Sequence, residues 1–290
     1  MGHGIAQAAA TAGARVVGVE QQEAARDKGK ARIEASVRKI LDKAVAKGAT
    51  DASSADQEAS RILSSISYST DVSSVSECDL VVEAIVEDMR VKVPFWGTMG
   101  RLCKEDAVFA SNTSSLPITA QAEASGRPAR FVGLHFFNPV QLMKLVEVIR
   151  TPHTDPLVFD RCRAWAGSLP GKVVVSCQDT PGFIVNRLLV PAIAQALAMV
   201  DRGHASVHDV DVAMRLGAGH PMGPVCLADY VGLDTTRSIL AGWAEAYPEE
   251  PAFFVPRCLE DKVAQGKLGR KTGEGFYAWE GDKPLHVAKD

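Results

Sequence analysis

No apolar run in this sequence is long enough to cross a membrane. The longest stretches, at 183–185 and 188–200, are broken by Asn, Arg, Pro or Gln, and a span needs ~18 uninterrupted residues. Cysteine is sparse and unpatterned. The six residues, Cys78, Cys103, Cys162, Cys177, Cys226 and Cys258, form no CxxC pair. Scattered thiols of this kind read as reduced and mostly buried, so neither a disulfide framework nor a metal site is expected. Positive charge is not in excess: the formal net charge is −3, which excludes a whole-chain basic field for nucleic acid. Internal repeats, low-complexity segments, a signal-peptide pattern and a peroxisomal or ER address are all lacking. Hydrophobic residues make up 46% and charged residues 23%, the balance of an ordinary globular chain rather than a disordered or collagen-like one. At ~150 residues per domain, the length predicts two domains.

The first half alternates strand and helix patterns. Residues 4–13 are small, helix-forming and end at Gly13; residues 14–20 are a β-branched run ending in Glu20. Residues 21–62 read as charged helix with a break near Gly48. Lys28, Lys30, Arg32, Arg38, Lys39, Lys43 and Lys47 make this stretch basic, which fits either a solvated face or a surface for a phosphorylated ligand. Strands are predicted at 66–69, 79–85 and 107–112, with helices over 86–103 and 117–124. This alternation argues for a parallel α/β sheet. The run Asp79–Ile85 has the apolar continuity of a strand buried on both faces. Strands at 131–137 and 144–149 are joined by too few residues for a parallel crossover, so they should form an antiparallel hairpin. A helix over 156–168 and a strand at 172–177 follow. Beyond Asp179-Thr180-Pro181-Gly182 the patterns predict helices at 183–203, 206–216, 228–246 and 253–266, and no strand. Ser206 and Asp209 form a capping pair for the second of these. The expected fold is an α/β doubly wound sheet over 1–177, with a helical hairpin inserted near 22–62, followed by an all-α domain over 178–290.

Four features point to chemistry. Gly2 and Gly4 open a helix, and Glu20 closes the next strand, which is the latter half of a dinucleotide-binding fingerprint. His135 and Glu147 lie at equal distances from Gln141, the centre of the predicted hairpin loop, and opposed residues of a hairpin share a constant sum of positions. A carboxylate in the apolar run Leu145–Ile149 needs a partner. An imidazole facing it would be held in one tautomer and favoured as imidazolium, which suits either a general base or a structural pair. The cluster Ser111-Asn112-Thr113-Ser114-Ser115 follows a buried strand, where ligands of open α/β sheets bind; it also suits capping of the next helix. Asn186 sits in the apolar stretch Pro181–Val190 and wants a partner, structural or substrate.

Together these motifs resemble the L-3-hydroxyacyl-CoA dehydrogenase family, and its stand-alone mitochondrial type in particular. The resemblance is carried by Ser111-Asn-Thr-Ser-Ser-Leu116, Gly133-Leu-His-Phe-Phe-Asn-Pro-Val140, Met143-Lys-Leu-Val-Glu-Val148, Asp179-Thr-Pro-Gly-Phe-Ile-Val-Asn-Arg187 and Lys271-Thr-Gly-Glu-Gly-Phe-Tyr277. Leu216-Gly-Ala-Gly-His-Pro-Met-Gly223 and Asp229-Tyr-Val-Gly-Leu-Asp-Thr-Thr236 belong to it as well. It implies a Rossmann-like first domain and NAD-linked oxidation of a (3S)-3-hydroxyacyl-CoA to a 3-oxoacyl-CoA, a step of fatty acid β-oxidation. It further implies His135 as base supported by Glu147, with Ser114 and Asn186 positioning the substrate oxygen. Gly2 and Glu20 would take the cofactor's pyrophosphate and ribose; the family usually has Asp where Glu20 stands. Glu87, Lys92, Ser114, Asn138 and Lys271 match positions near the nicotinamide half of NAD. Ser36, Lys43, Lys92 and Ser114 match contacts to coenzyme A. A homodimer through the helical domain and a mitochondrial matrix location in a eukaryote, or a cytoplasmic one otherwise, are also implied.

The family has a first strand and two more glycines ahead of the position where Met1 stands. Their lack predicts an N-terminally truncated chain that is unstable or binds NAD poorly, because a central strand would leave two ladders unpaired. A non-catalytic, crystallin-like relative and a related hydroxy-acid dehydrogenase are the alternatives.

Overall fold

The computed structural model describes residues 1–288. The chain divides into two compact units, Met1–Phe183 and the remainder from Ile184.

In the first unit, α1 (Gly2–Thr11) ends as expected at a glycine, Gly13, which takes a φ of 93°. β1 (Val16–Val19) follows. The basic segment forms α2 (Glu23–Ala46) and α3 (Ala52–Ser64), separated at Gly48 with a φ of 69°. Asp51 caps α3 by accepting from the Ser54 amide at 2.9 Å. Ile33 and Val37 of α2, one turn apart, pack with Ala59 and Ile62 of α3 and Ala10 of α1. The hairpin therefore has one apolar seam, and its basic residues are left to solvent.

The remaining strands are β2 (Ile66–Ser69), β3 (Leu80–Glu83), β4 (Val108–Ser111), β5 (Phe131–Phe136), β6 (Leu145–Arg150) and β7 (Val173–Gln178). They alternate with α4 (Met89–Leu102), α5 (Ile118–Ala124) and α6 (Pro156–Ser168). β1 and β2 form a parallel pair; β3-β4-β5-β6-β7 form a separate sheet in that order. Every neighbour in that sheet is parallel except the β5–β6 hairpin. Among the described residues no strand joins the pair to the sheet of five.

One expectation fails at β3. It is not buried on both faces: Leu80 and Val82 are half-buried, and Ile85 and Val86 just beyond the strand are exposed. Val81 packs in the cluster of Trp96 from α4, Leu80 and Val82 border the cluster that holds Ile5 of α1, and among the described residues no strand pairs with the outer edge. Behind the sheet, Trp96, Phe109 and Phe131 pack as tilted and edge-to-face rings, with Trp96–Phe131 centroids 4.6 Å apart, and the Trp96 indole donates to Gln121 at 3.0 Å. Two glycines are dictated by close approach. A Cβ on Gly100 of α4 would lie 1.9 Å from the Ser125 carbonyl oxygen, and one on Gly133 would lie 2.9 Å from the Ile149 Cβ.

The expected domain boundary after residue 177 falls six residues early, since the first unit runs to Phe183. The cause is Asp179, whose carboxylate accepts from the Ile118 amide (3.1 Å), the Thr119 amide (2.7 Å) and the Thr119 hydroxyl (2.6 Å). It caps α5 from across the chain and keeps residues 179–183 with the sheet.

The second unit is helical, with α7 (Val185–Asp201), α8 (Val207–Gly217), α9 (Pro224–Val231), α10 (Leu233–Ala246) and α11 (Arg257–Ala264). Ser206 caps α8 through the Asp209 amide at 3.1 Å, as its sequence indicated. Leu197, Val225, Leu233, Leu240 and Leu259 are fully buried around Trp243 and Phe276. Two expectations are corrected. The helix predicted over 228–246 is broken at Gly232, whose φ of 110° no helix accommodates. The unit also contains strands, β8 (Tyr277–Glu280) and β9 (Lys283–Val287), paired as an antiparallel hairpin. Fully buried Asp229 holds β8 in place. It accepts from the Phe276 amide (3.0 Å), the Tyr277 amide (2.8 Å) and the Trp279 indole (2.9 Å). Burial pushes its carboxyl up, against the pull of those donors.

Candidate active site

His135 and Glu147 are directly opposed in the β5–β6 ladder, the pairing that the loop-centre arithmetic predicts. The His135 Nδ1 lies 2.6 Å from Glu147 Oε2, with the imidazole 3% exposed and the glutamate 0%. A carboxylate only accepts, so Nδ1 carries the proton and Nε2 of the neutral ring is left as an acceptor. Ser114 Oγ sits 3.0 Å from that Nε2. The ring is walled by Phe137 and Phe183, with centroids at 4.5 and 5.6 Å. Phe183 is the one described non-glycine residue at positive φ, 57°. Such a conformation costs on the order of 1–3 kcal/mol and persists only where surroundings enforce it. Here Asp179 and the Phe183 amide, bonded to the Thr180 carbonyl at 3.0 Å, hold it.

Ser114 lies in the turn after β4, the polar cluster singled out in the sequence. Asn112 Oδ1 accepts from the Phe136 amide at 2.9 Å, tying that turn to β5. The Ser114 amide donates to Glu87 Oε1 at 2.9 Å, and the Thr113 hydroxyl donates to the same oxygen. Buried Lys92 reaches Glu87 Oε2 at 3.2 Å and Glu83 Oε1 at 2.6 Å. Thus Glu87, Lys92, Ser114 and His135 belong to one connected network at the carboxyl ends of β3, β4 and β5. Glu83 joins this network, and Phe137 and Phe183 wall it, without a role assigned to them from the sequence. The signal for Glu83 was an acid closing an apolar strand; the two phenylalanines stand inside the His135 and Asn186 motifs, where nothing marked them as walls of the ring.

The residues expected on the cofactor side are spread over α1, the end of β1 and the β5–β6 loop. A Cβ on Gly2 would meet the Ala84 Cβ at 3.7 Å, so α1 begins beside the end of β3. No side chain caps this helix start, which leaves its first amides suited to an anionic phosphate. Glu20 is exposed immediately after β1 and accepts from the Gln22 amide at 3.2 Å. Asn138 is exposed in the β5–β6 loop. That loop is fixed by Lys172, which donates to the Met143 carbonyl at 2.6 Å, and by a Gln141–Gln7 bond to α1 at 2.8 Å. Ser36, half-buried, and Lys43, exposed, are two turns apart on α2 and share one helix face. The other two sequence candidates belong to the second unit. Asn186 is half-buried in the first turn of α7, and Lys271 pairs with Asp234 beside Gly232.

Cysteine chemistry is not part of the site. Burial pushes the thiols of Cys162, Cys177 and Cys226 up to about 11, which keeps them protonated and unreactive at neutral pH.

An uncapped helix start beside the end of β3, with a buried His–Glu pair in the β5–β6 ladder of the same sheet, suits a nucleotide-dependent dehydrogenase. Residues 1–180 match the family model described as the 3-hydroxyacyl-CoA dehydrogenase NAD-binding domain, and residues 182–279 match its C-terminal domain. The chain belongs to the 3-hydroxyacyl-CoA dehydrogenase family. It is 51% identical over 280 residues to the mitochondrial hydroxyacyl-coenzyme A dehydrogenase of Rattus norvegicus, covering 96% of this chain and 88% of the relative. It is 44% identical to a probable 3-hydroxybutyryl-CoA dehydrogenase of Deinococcus radiodurans, with 96% of both chains covered. Among solved structures, the (S)-3-hydroxybutyryl-CoA dehydrogenase PaaH1 of Ralstonia eutropha superposes with a TM-score of 0.89 at 37% identity, over 97% of this chain and 95% of that one. The cofactor of the first unit is NAD.

Proposed function

We infer that the chain oxidises a (3S)-3-hydroxyacyl-CoA to the 3-oxoacyl-CoA with NAD, and runs the reverse reduction. The observation that carries this reading is the buried His135–Glu147 pair, whose Nε2 meets Ser114. Bound NAD supplies a hydride acceptor. The α1 start with Gly2 would hold its pyrophosphate, Glu20 its ribose, and Glu87, Lys92 and Asn138 its nicotinamide half. A carboxylate at the ribose position also repels a 2′-phosphate, which favours NAD over NADP.

His135 Nε2 takes the proton of the substrate's 3-hydroxyl as the C3–H electron pair departs as hydride and the C3–O bond becomes a carbonyl. Glu147 supports the charge that arises on the ring. The Ser114 hydroxyl donates to the substrate oxygen and polarises it in the reductive direction. Ser36 and Lys43 on the basic α2 would contact coenzyme A. Asn186 and Lys271 keep the substrate and cofactor roles that the resemblance implies.

The test is NADH oxidation with acetoacetyl-CoA, run beside free 3-oxo acids. Turnover with the thioester alone is the expected result. Turnover with the free acids and none with the thioester would overturn the substrate class.

A place in fatty acid β-oxidation fits this chemistry. The relatives named mitochondrial support a matrix location in a eukaryotic source. The second unit exposes Leu188, Met199, Leu216, Tyr230 and Val231, an apolar set that supports a homodimer through this unit. Sedimentation equilibrium is expected to return twice the monomer mass of 31.0 kDa; a monomer across the micromolar range would remove that assembly.

A further inference from the structure

Glu83 closes β3 and is 2% exposed, and Lys92 is 1% exposed. A buried ion pair of this kind adds little stability over apolar side chains of equal volume, so the arrangement calls for another explanation. Glu83 is fully engaged: Oε1 accepts from Lys92 Nζ (2.6 Å) and the Ile85 amide (2.8 Å), and Oε2 accepts from Ser111 Oγ (2.7 Å). Two routes lead from it to Ser114. The first passes through Ser111, whose hydroxyl oxygen accepts from the Thr113 amide at 3.3 Å. The second passes through Lys92 to Glu87, and from Glu87 to the Ser114 amide and the Thr113 hydroxyl. Thr113 Oγ1 in turn accepts from the Leu116 amide at 2.9 Å. The turn that delivers Ser114 Oγ to His135 Nε2 is therefore held on both sides by one buried carboxylate.

We propose that Glu83 is a positioning residue that sets the contact between Ser114 and His135, a role that rests on reading His135 as the group that exchanges the substrate proton. Glu83 acts through Ser111 and through the Lys92–Glu87 pair, and it touches neither substrate nor cofactor.

Glu83→Gln isolates this role. Its amide oxygen still accepts from Lys92 and Ile85, and its NH2 can donate to Ser111 Oγ, so shape is kept while the charge that shares Lys92 with Glu87 is lost. The experiment uses the full chain labelled with 15N-histidine, with His135→Gln identifying the His135 resonances. The Nε2 resonance is expected to move in the direction that Ser114→Ala moves it, with the melting temperature near the parent's. In acetoacetyl-CoA reduction, kcat is expected to fall between about 10- and 10²-fold with KM for the thioester nearly unchanged. The Glu83→Gln effect on kcat is expected to shrink in a Ser114→Ala background, because it passes through that side chain. An unmoved resonance in a folded variant, or full additivity with Ser114→Ala, overturns the proposal. If Glu83→Gln fails to fold, Ser111→Ala cuts the shorter route without stranding a charge: a shift in the same direction supports the role, and an unmoved resonance overturns it. A parent chain inactive on acetoacetyl-CoA would sink the functional reading, while the resonance would still decide the role of Glu83.

Discussion

Replacing His135 with Gln is expected to lower kcat for acetoacetyl-CoA reduction by about 10²–10⁴-fold, the range for losing a general acid–base group. Gln is chosen because it can keep a hydrogen bond to Glu147, which is fully buried and would otherwise lose the ring nitrogen that faces it at 2.6 Å. It cannot exchange a proton near neutral pH. Binding should survive, since the cofactor residues proposed here lie on α1, after β1, around the β3–α4 turn and at Asn138 in the β5–β6 loop rather than on the imidazole. Steady-state kinetics with a separate NADH titration by fluorescence would read both quantities. A variant that binds NADH as the parent does and still turns over at the parent's rate would remove His135 from the chemistry.

Glu147→Gln should cost less, about 10–10²-fold in kcat, since the base itself remains. Its diagnostic effect is on orientation: the imidazole keeps a hydrogen-bond partner at Nδ1 but loses the carboxylate that opposes it across the ladder, so kcat should fall while KM for the thioester changes little. A kcat equal to the parent's would reduce Glu147 to a packing role. Loss of His135 and loss of Glu147 should also be non-additive, because the two act as one unit.

Local signals settled more of this molecule than long-range ones. The His135–Glu147 register was readable because a hairpin leaves one unknown, the loop centre, and a buried carboxylate needs a partner. Gly13 and Gly48 marked helix ends because their conformation is a property of the residue itself. By contrast, the Glu83–Lys92 pair joins a strand end to a helix nine positions later, and nothing in the sequence separates it from a chance pair of charges. The β8–β9 hairpin was hidden for a related reason. Tyr277–Glu280 is a strand because Asp229, far back in the chain, supplies an acceptor to the Phe276 amide just before it, to the Tyr277 amide that opens it and to the Trp279 indole. Gly232 was misread because a single glycine inside a helical pattern is usually tolerated. Only the positive φ identifies it as a break. The boundary after β7 shifted because Asp179 caps a helix sixty positions away.

The buried thiols have a practical consequence. Cys162, Cys177 and Cys226 are pushed up to about 11 by burial, so an alkylating reagent at neutral pH should meet them as thiolates only after the chain around them opens. Thiol labelling of this protein should therefore report its unfolding rather than its folded surface.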